Sequence, residues 1–153
     1  MAVPEPTPGV RLARLLLGAF EEMVDDVVGH LAAHGHPGVT ANLEFALAAV
    51  AEGADSASAL GRALGTTRQA AAKTVATLEQ LGYVERADDP DDARLKRLRV
   101  TPRGEEMSAI GAARFDALRD RWAARLEPGA AEAAEAALGL LRAPRAAPGA
   151  GTP

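Results

Sequence analysis

The chain of 153 residues contains no cysteine. That excludes disulfides, thiol-based redox sensing and thiolate metal sites together. Aromatic residues number five, with one Trp and one Tyr. A core must therefore be assembled from Leu, Val and Ala. No apolar run approaches the roughly 18 residues that a membrane-spanning helix needs. The opening residues MAVPEPTPG are Pro-rich and acidic rather than basic and then apolar, so no secretory signal is expected and the expected location is cytoplasmic. Catalytic signatures are equally scarce. No nucleophile stands beside a base, no Gly-rich phosphate loop follows a strand, and nothing calls for a cofactor. The expectation is a protein that is not an enzyme.

The formal net charge is −4, which taken alone argues against a nucleic-acid partner. Its distribution reverses that impression. Residues 1–55 carry two Arg against eight acids, and residues 105–153 carry six Arg against seven acids. Residues 56–104 carry nine Lys or Arg against six acids, a net of +3, and are the only net-positive third. Segregated positive charge attracts phosphate whatever the total.

That positive third has a recognisable order. Ser56 starts a short helix holding Leu60 and Leu64. Gly65 can take positive φ in the turn Leu64-Gly65-Thr66-Thr67, and Thr67 can cap a second helix running to about Leu81, where Gly82 stops it. Arg68, Gln69 and Lys73 lie near the start of that helix. Tyr83–Arg86 and Leu95–Val100 read as two strands around the turn-rich tip Asp88-Asp89-Pro90-Asp91-Asp92. The pattern is a helix–turn–helix followed by a hairpin wing. Such a motif places the first turns of its second helix in the major groove of DNA.

Long helices flank it. From Val10 to about Ala33, Leu12, Leu16, Phe20, Met23, Val27 and Leu31 recur at helical spacing. Thr40 caps a helix to about Ala51. Thr101 and Pro102 open another, with Met107, Ile110, Leu118, Trp122 and Leu126 on its apolar face. After Pro128-Gly129 a last Ala-rich helix runs to about Arg142. The expected organisation is a disordered arm at 1–9, a single domain at 10–142 and a disordered tail at 143–153. Within the domain, 40–100 would bind DNA, and the helices at 10–33 and 101–142 would pair two copies. Trp122 fits a core or a subunit interface better than a ligand stack.

The residues resemble the MarR family of bacterial transcriptional regulators. Three segments carry the resemblance. They are Gly65-Thr66-Thr67-Arg68-Gln69-Ala70 after the Leu60–Leu64 helix, then Leu78-Glu79-Gln80-Leu81-Gly82-Tyr83-Val84-Glu85-Arg86, then Asp92-Ala93-Arg94 with Val100-Thr101-Pro102-Arg103-Gly104. The resemblance implies a mainly α fold with a small β-hairpin wing, and a homodimer on a pseudo-palindromic operator. It further implies a small-molecule effector and repression, with Arg94 entering the minor groove positioned by Asp92. The chain departs from the family at Thr74, where a larger apolar residue is usual, and in the run Ala70-Ala71-Ala72, which leaves few side chains for base readout.

The candidate DNA-binding residues are Ser56, Thr67, Arg68, Gln69, Lys73, Arg94, Lys96 and Arg97. Arg and Gln pair in bidentate geometry with guanine and adenine. Lys73 suits a phosphate, and Thr67 combines capping with a phosphate contact. Against each stands the plainer reading of a solvated helix face or an ordinary loop ion pair. His30, His34 and His36 are the whole histidine complement. His30 and His34 share a helix face with Asp26 and Glu22, a spacing that can hold zinc, so a metal-responsive regulator is one alternative. A solvated helix end entering a loop is the commoner outcome. A winged helix that binds protein without specific DNA binding is the other alternative.

Overall fold

The computed structural model describes residues 5–89 and 96–141. Asp92 and Arg94 lie outside the described residues, as do the first four residues of the arm, Leu95, Arg142 and the tail. The chain divides into two compact units, Met1–Phe115 and Asp116–Pro153.

The first unit contains α1 (Pro8–Ala33), α2 (Ala41–Ala51), α3 (Ala57–Leu64), α4 (Arg68–Gln80), β1 (Val84–Asp88) and β2 (Lys96–Val100). It also holds most of α5 (Pro102–Ala123). The helix starts fall where short polar side chains precede apolar runs. Thr40 accepts from the amide of Leu43, Ser56 from Ala59 and Thr67 from Ala70, at 3.4, 3.2 and 3.1 Å. Each bond satisfies one amide that the first helical turn leaves open. α1 begins two residues earlier than hydrophobic periodicity indicates, because Thr7 caps it and Pro8 suits a first turn that needs no amide donor.

The core of this unit is aliphatic. Leu31, Leu47, Leu60, Val75, Leu78 and Met107 are fully buried, joined by Tyr83, the sole tyrosine. α4 buries Ala71, Val75 and Leu78, one stripe at helical spacing, against α3 and α2. The strands pair antiparallel from Val84↔Val100 to Asp88↔Lys96, one to two residues further along β1 than the turn residues suggest. Tyr83 precedes the strand as a buried plug.

Along α1 the expected apolar stripe is buried only at its C-terminal end. Val27 and Leu31 are buried, whereas Leu12, Leu15, Leu16, Leu17 and Phe20 stand exposed, Leu15 at 71%.

The second unit holds the end of α5 and α6 (Ala130–Leu140). Arg119 joins its two helices, donating to Glu135 at 2.6 Å and to Glu132 at 3.0 Å, contacts that raise its pKa further. α5 ends at Ala123, before Leu126, because Pro128 follows within a turn's reach and Gly129 takes φ 82°. Trp122 is 42% exposed.

Glu44 on α2 is the half-buried carboxylate of the first unit's interior. Its Oε1 would lie 2.5 Å from a Cβ at Gly111 of α5, so the missing side chain makes its room. Burial pushes its pKa up, which means folding favours the protonated form. The folded protein then binds more protons than the unfolded chain, and Glu44 weakens the fold as pH rises past its raised value. Glu44→Gln should therefore raise Tm at pH 7, with the gain shrinking toward zero as pH falls to about 3, below the ordinary carboxylate range. Thermal melts at the two pH values check this. An equal gain at both, or a loss at pH 7, contradicts it.

Candidate nucleic-acid interface

The turn between α3 and α4 is tight because two glycines permit it. Gly65 ends α3 in the left-handed region at φ 64°, and its amide and that of Thr66 return to Arg62 and Gly61 carbonyls. The turn then passes over Gly61. A Cβ there would sit 3.2 Å from the Thr66 carbonyl oxygen and 3.4 Å from the Arg68 amide. The close approach aims the start of α4 outward.

At that start the polar residues are displayed as expected. Arg68 and Gln69 occupy the first turn and Lys73 the second, all exposed, with the buried stripe on the opposite side. Arg68 and Lys73 make no ion pair among the described residues. The helix N-terminus adds its own partial positive charge. This end of α4 can accept an anion or reach base edges. Of the three consecutive alanines, Ala71 faces the core and only Ala70 and Ala72 occupy the exposed face. The run therefore takes less from the readable surface than its length suggests.

Thr74 has a use in the fold that spacing alone does not disclose. Its hydroxyl donates to the Ala70 carbonyl at 3.3 Å and accepts from Asn42 Nδ2 at 3.4 Å, tying α4 to α2. Ser56 is exposed and caps α3.

On the wing, Lys96 pairs with Asp88 across the strands and Arg86 pairs with Glu79 at 2.7 Å. Arg97 bridges Asp89 and Asp55, the latter at 2.9 Å. The acidic wing residues Asp88 and Asp89 are thus matched to cations on the facing strand. Arg99 is exposed and makes no ion pair among the described residues. It borders an open groove of about 550 Å³ with Leu98, Glu105 and Ser108.

A polar junction holds this surface against α5. His36 is 1% exposed, with its Nδ1 3.2 Å from the Tyr83 hydroxyl and its Nε2 3.7 Å from Glu106. Arg103 lies over the Tyr83 ring and donates to the carbonyls of Gly35 and Leu81, at 2.9 and 3.2 Å. Burial raises the Tyr83 pKa, and Arg103 partly offsets the rise. His36 is accordingly not part of a solvated helix end. It fills a hole beside Tyr83, a partner 47 residues away in sequence.

His30 and His34 do stack on one helix face, with ring centroids 4.1 Å apart. The pKa of His30 is lowered by partial burial, then by His34 and Arg114, against the opposing pull of Asp26. Asp26 is held by the guanidinium of Arg114, one bond at 2.9 Å, rather than turned to a metal. Among the described residues, no three His or acidic residues are grouped to hold a metal ion, and no helix is long and apolar enough to cross a membrane.

A mainly helical chain with a helix–turn–helix, an antiparallel hairpin behind it and exposed cations at the start of α4 defines a winged helix–turn–helix protein. Residues 45–95 match the family model of the MarR family. That family is one of transcriptional regulators rather than enzymes. The chain is 49% identical over 35 residues to the HTH-type transcriptional regulator BilQ of Clostridioides difficile, a match spanning 23% of this chain and 24% of that protein. Solved structures share the fold over most of the length. The MarR family transcription regulator SP03579 superposes with a TM-score of 0.70 at 21% identity, covering 86% of this chain and 85% of its own. The MepR–DNA complex of S. aureus gives 0.65 at 17% identity, covering 86% and 95%. PcaV of Streptomyces coelicolor, solved with its natural ligand, gives 0.63 at 24% identity, covering 92% and 96%.

Proposed function

We propose that the chain is a sequence-specific DNA-binding transcription regulator, acting as a homodimer on a pseudo-palindromic operator and releasing it when a small molecule binds. The observation that carries this reading is the outward display of Arg68, Gln69 and Lys73 on the first turns of α4, where Arg68 and Lys73 make no ion pair among the described residues. Arg68 and Gln69 read base edges in the major groove. Lys73 meets a phosphate, as do the capping residues Thr67 and Ser56 and, on the wing, Lys96. Arg94, positioned by Asp92, enters the minor groove, where narrow width concentrates negative potential. The MepR–DNA complex, with the same fold, supports DNA as the partner.

The exposed apolar residues of α1, together with Leu140 at 88% and Leu141 at 59% exposure, support a second copy as the covering partner. Two half-sites multiply the discrimination available to one. The ligand seen in PcaV supports an effector here. Such an effector represses binding by favouring a dimer whose recognition helices no longer match successive major grooves, which requires only that it bind one geometry better than the other.

Selection of duplexes from a random-sequence pool by the purified protein tests the reading. Inverted repeats with half-site centres about one helical turn apart are expected, roughly 10 base pairs. A selected pool without sequence preference contradicts it.

A further inference from the structure

The angle of the wing is set at its root, where β2 meets the residues that precede the helix–turn–helix. Two kinds of bond meet there. The Leu98 amide donates to the Asp55 carbonyl at 2.8 Å, and the Arg97 guanidinium reaches the Asp55 carboxylate through Nη1 at 2.9 Å and the Asp89 carboxylate through Nε. Asp55 stands immediately before Ser56, the cap of α3. Asp89 directly follows β1, its side chain 1% exposed. A carboxylate so buried needs a partner, and a planar guanidinium can satisfy two carboxylates at once. A guanidinium engaged by two carboxylates is a poor donor to a phosphate.

We propose that Arg97 is a positioning residue that clamps the wing to the entrance of the helix–turn–helix and fixes the angle at which the wing meets a duplex. It does not itself neutralise a phosphate. The proposal rests on the DNA-binding reading above and assigns Arg97 a different part from Lys96 beside it. Lysine cannot replace it, because a single ammonium lacks the fork that spans Asp55 and Asp89.

Two measurements on the full chain test the clamp. The first needs no DNA. Amide exchange at Leu98 should quicken about tenfold or more in Arg97→Ala and in Asp55→Ala, while Leu47 in α2 keeps its protection. The second uses a duplex selected by the wild-type protein from a random pool, titrated at several salt concentrations. Arg97→Ala, Arg97→Lys and Asp55→Ala should each weaken binding about tenfold, the double variant Arg97→Ala/Asp55→Ala no more than either alone, with the salt slope unchanged. A phosphate contact behaves oppositely: Arg97→Ala lowers the slope by about one, Arg97→Lys keeps most of the affinity, and Asp55→Ala tightens binding. That pattern overturns the proposal, as does unchanged Leu98 exchange in both variants. A wild-type chain that selects no duplex instead overturns the DNA reading, whatever Leu98 does.

Discussion

Gly104→Ala is expected to destabilise the protein by about 3 kcal/mol, near the upper end for overpacking a filled site. A Cβ at this position would overlap the Tyr83 carbonyl oxygen and reach 2.8 Å from Val100 Cγ1. The carbonyl cannot simply retreat, because it accepts from the Thr101 amide at 3.0 Å in the bond that joins the wing to α5. Nor can α5 shift freely, since Thr101 donates to the Gly82 carbonyl at 2.6 Å and caps the Gly104 amide at 3.1 Å. A fall in Tm on the order of 10 °C follows for a domain of this size. Gly29→Ala provides the control, as a helical glycine with nothing within 4 Å of the added methyl. It should leave Tm unchanged or raise it. Equal melts for the two variants would mean that α5 and the wing are not in contact at Gly104.

What was legible in the sequence divides along the same line between local and distant causes. The caps Thr40, Ser56 and Thr67, the left-handed Gly65 and the buried stripe of α4 are consequences of neighbours within four residues, so spacing reveals them. So does the display of Arg68, Gln69 and Lys73, which follows once Ala71, Val75 and Leu78 are buried. The wing-root clamp was not legible. Asp55 and Arg97 are 42 positions apart, and nothing in either neighbourhood distinguishes this Arg from Lys96 or Arg99. The burial of His36 was hidden for the same reason, since only the fold brings Tyr83 to it. The alanine run was visible but needed the helix phase to show that its middle member faces inward.

Arg68→Ala should weaken binding to a selected duplex by about 10- to 100-fold, the range of about 1–3 kcal/mol for a bidentate base contact. The protein's own fold should be little affected, because Arg68 is exposed and makes no ion pair among the described residues. The loss should relax preference at one base pair in each half-site and leave the others as they were. Lys73→Ala should differ in kind, weakening binding to all sequences alike and lowering the salt slope by about one. Thr67→Ala should differ again by costing about 1 kcal/mol of stability through the lost cap. If Arg68→Ala weakens every duplex equally, Arg68 is a phosphate contact and base readout must lie elsewhere on α4 or on the wing.

The central claim is that this acidic chain concentrates its positive charge on one winged surface in order to read DNA. A salt titration of the purified protein on the selected duplex and on a scrambled duplex of equal composition tests it most directly. The account predicts steep log-linear salt dependence on both, with the selected duplex bound at least about 1,000-fold more tightly at physiological salt. Equal affinity for the two duplexes, or binding indifferent to salt, would contradict it.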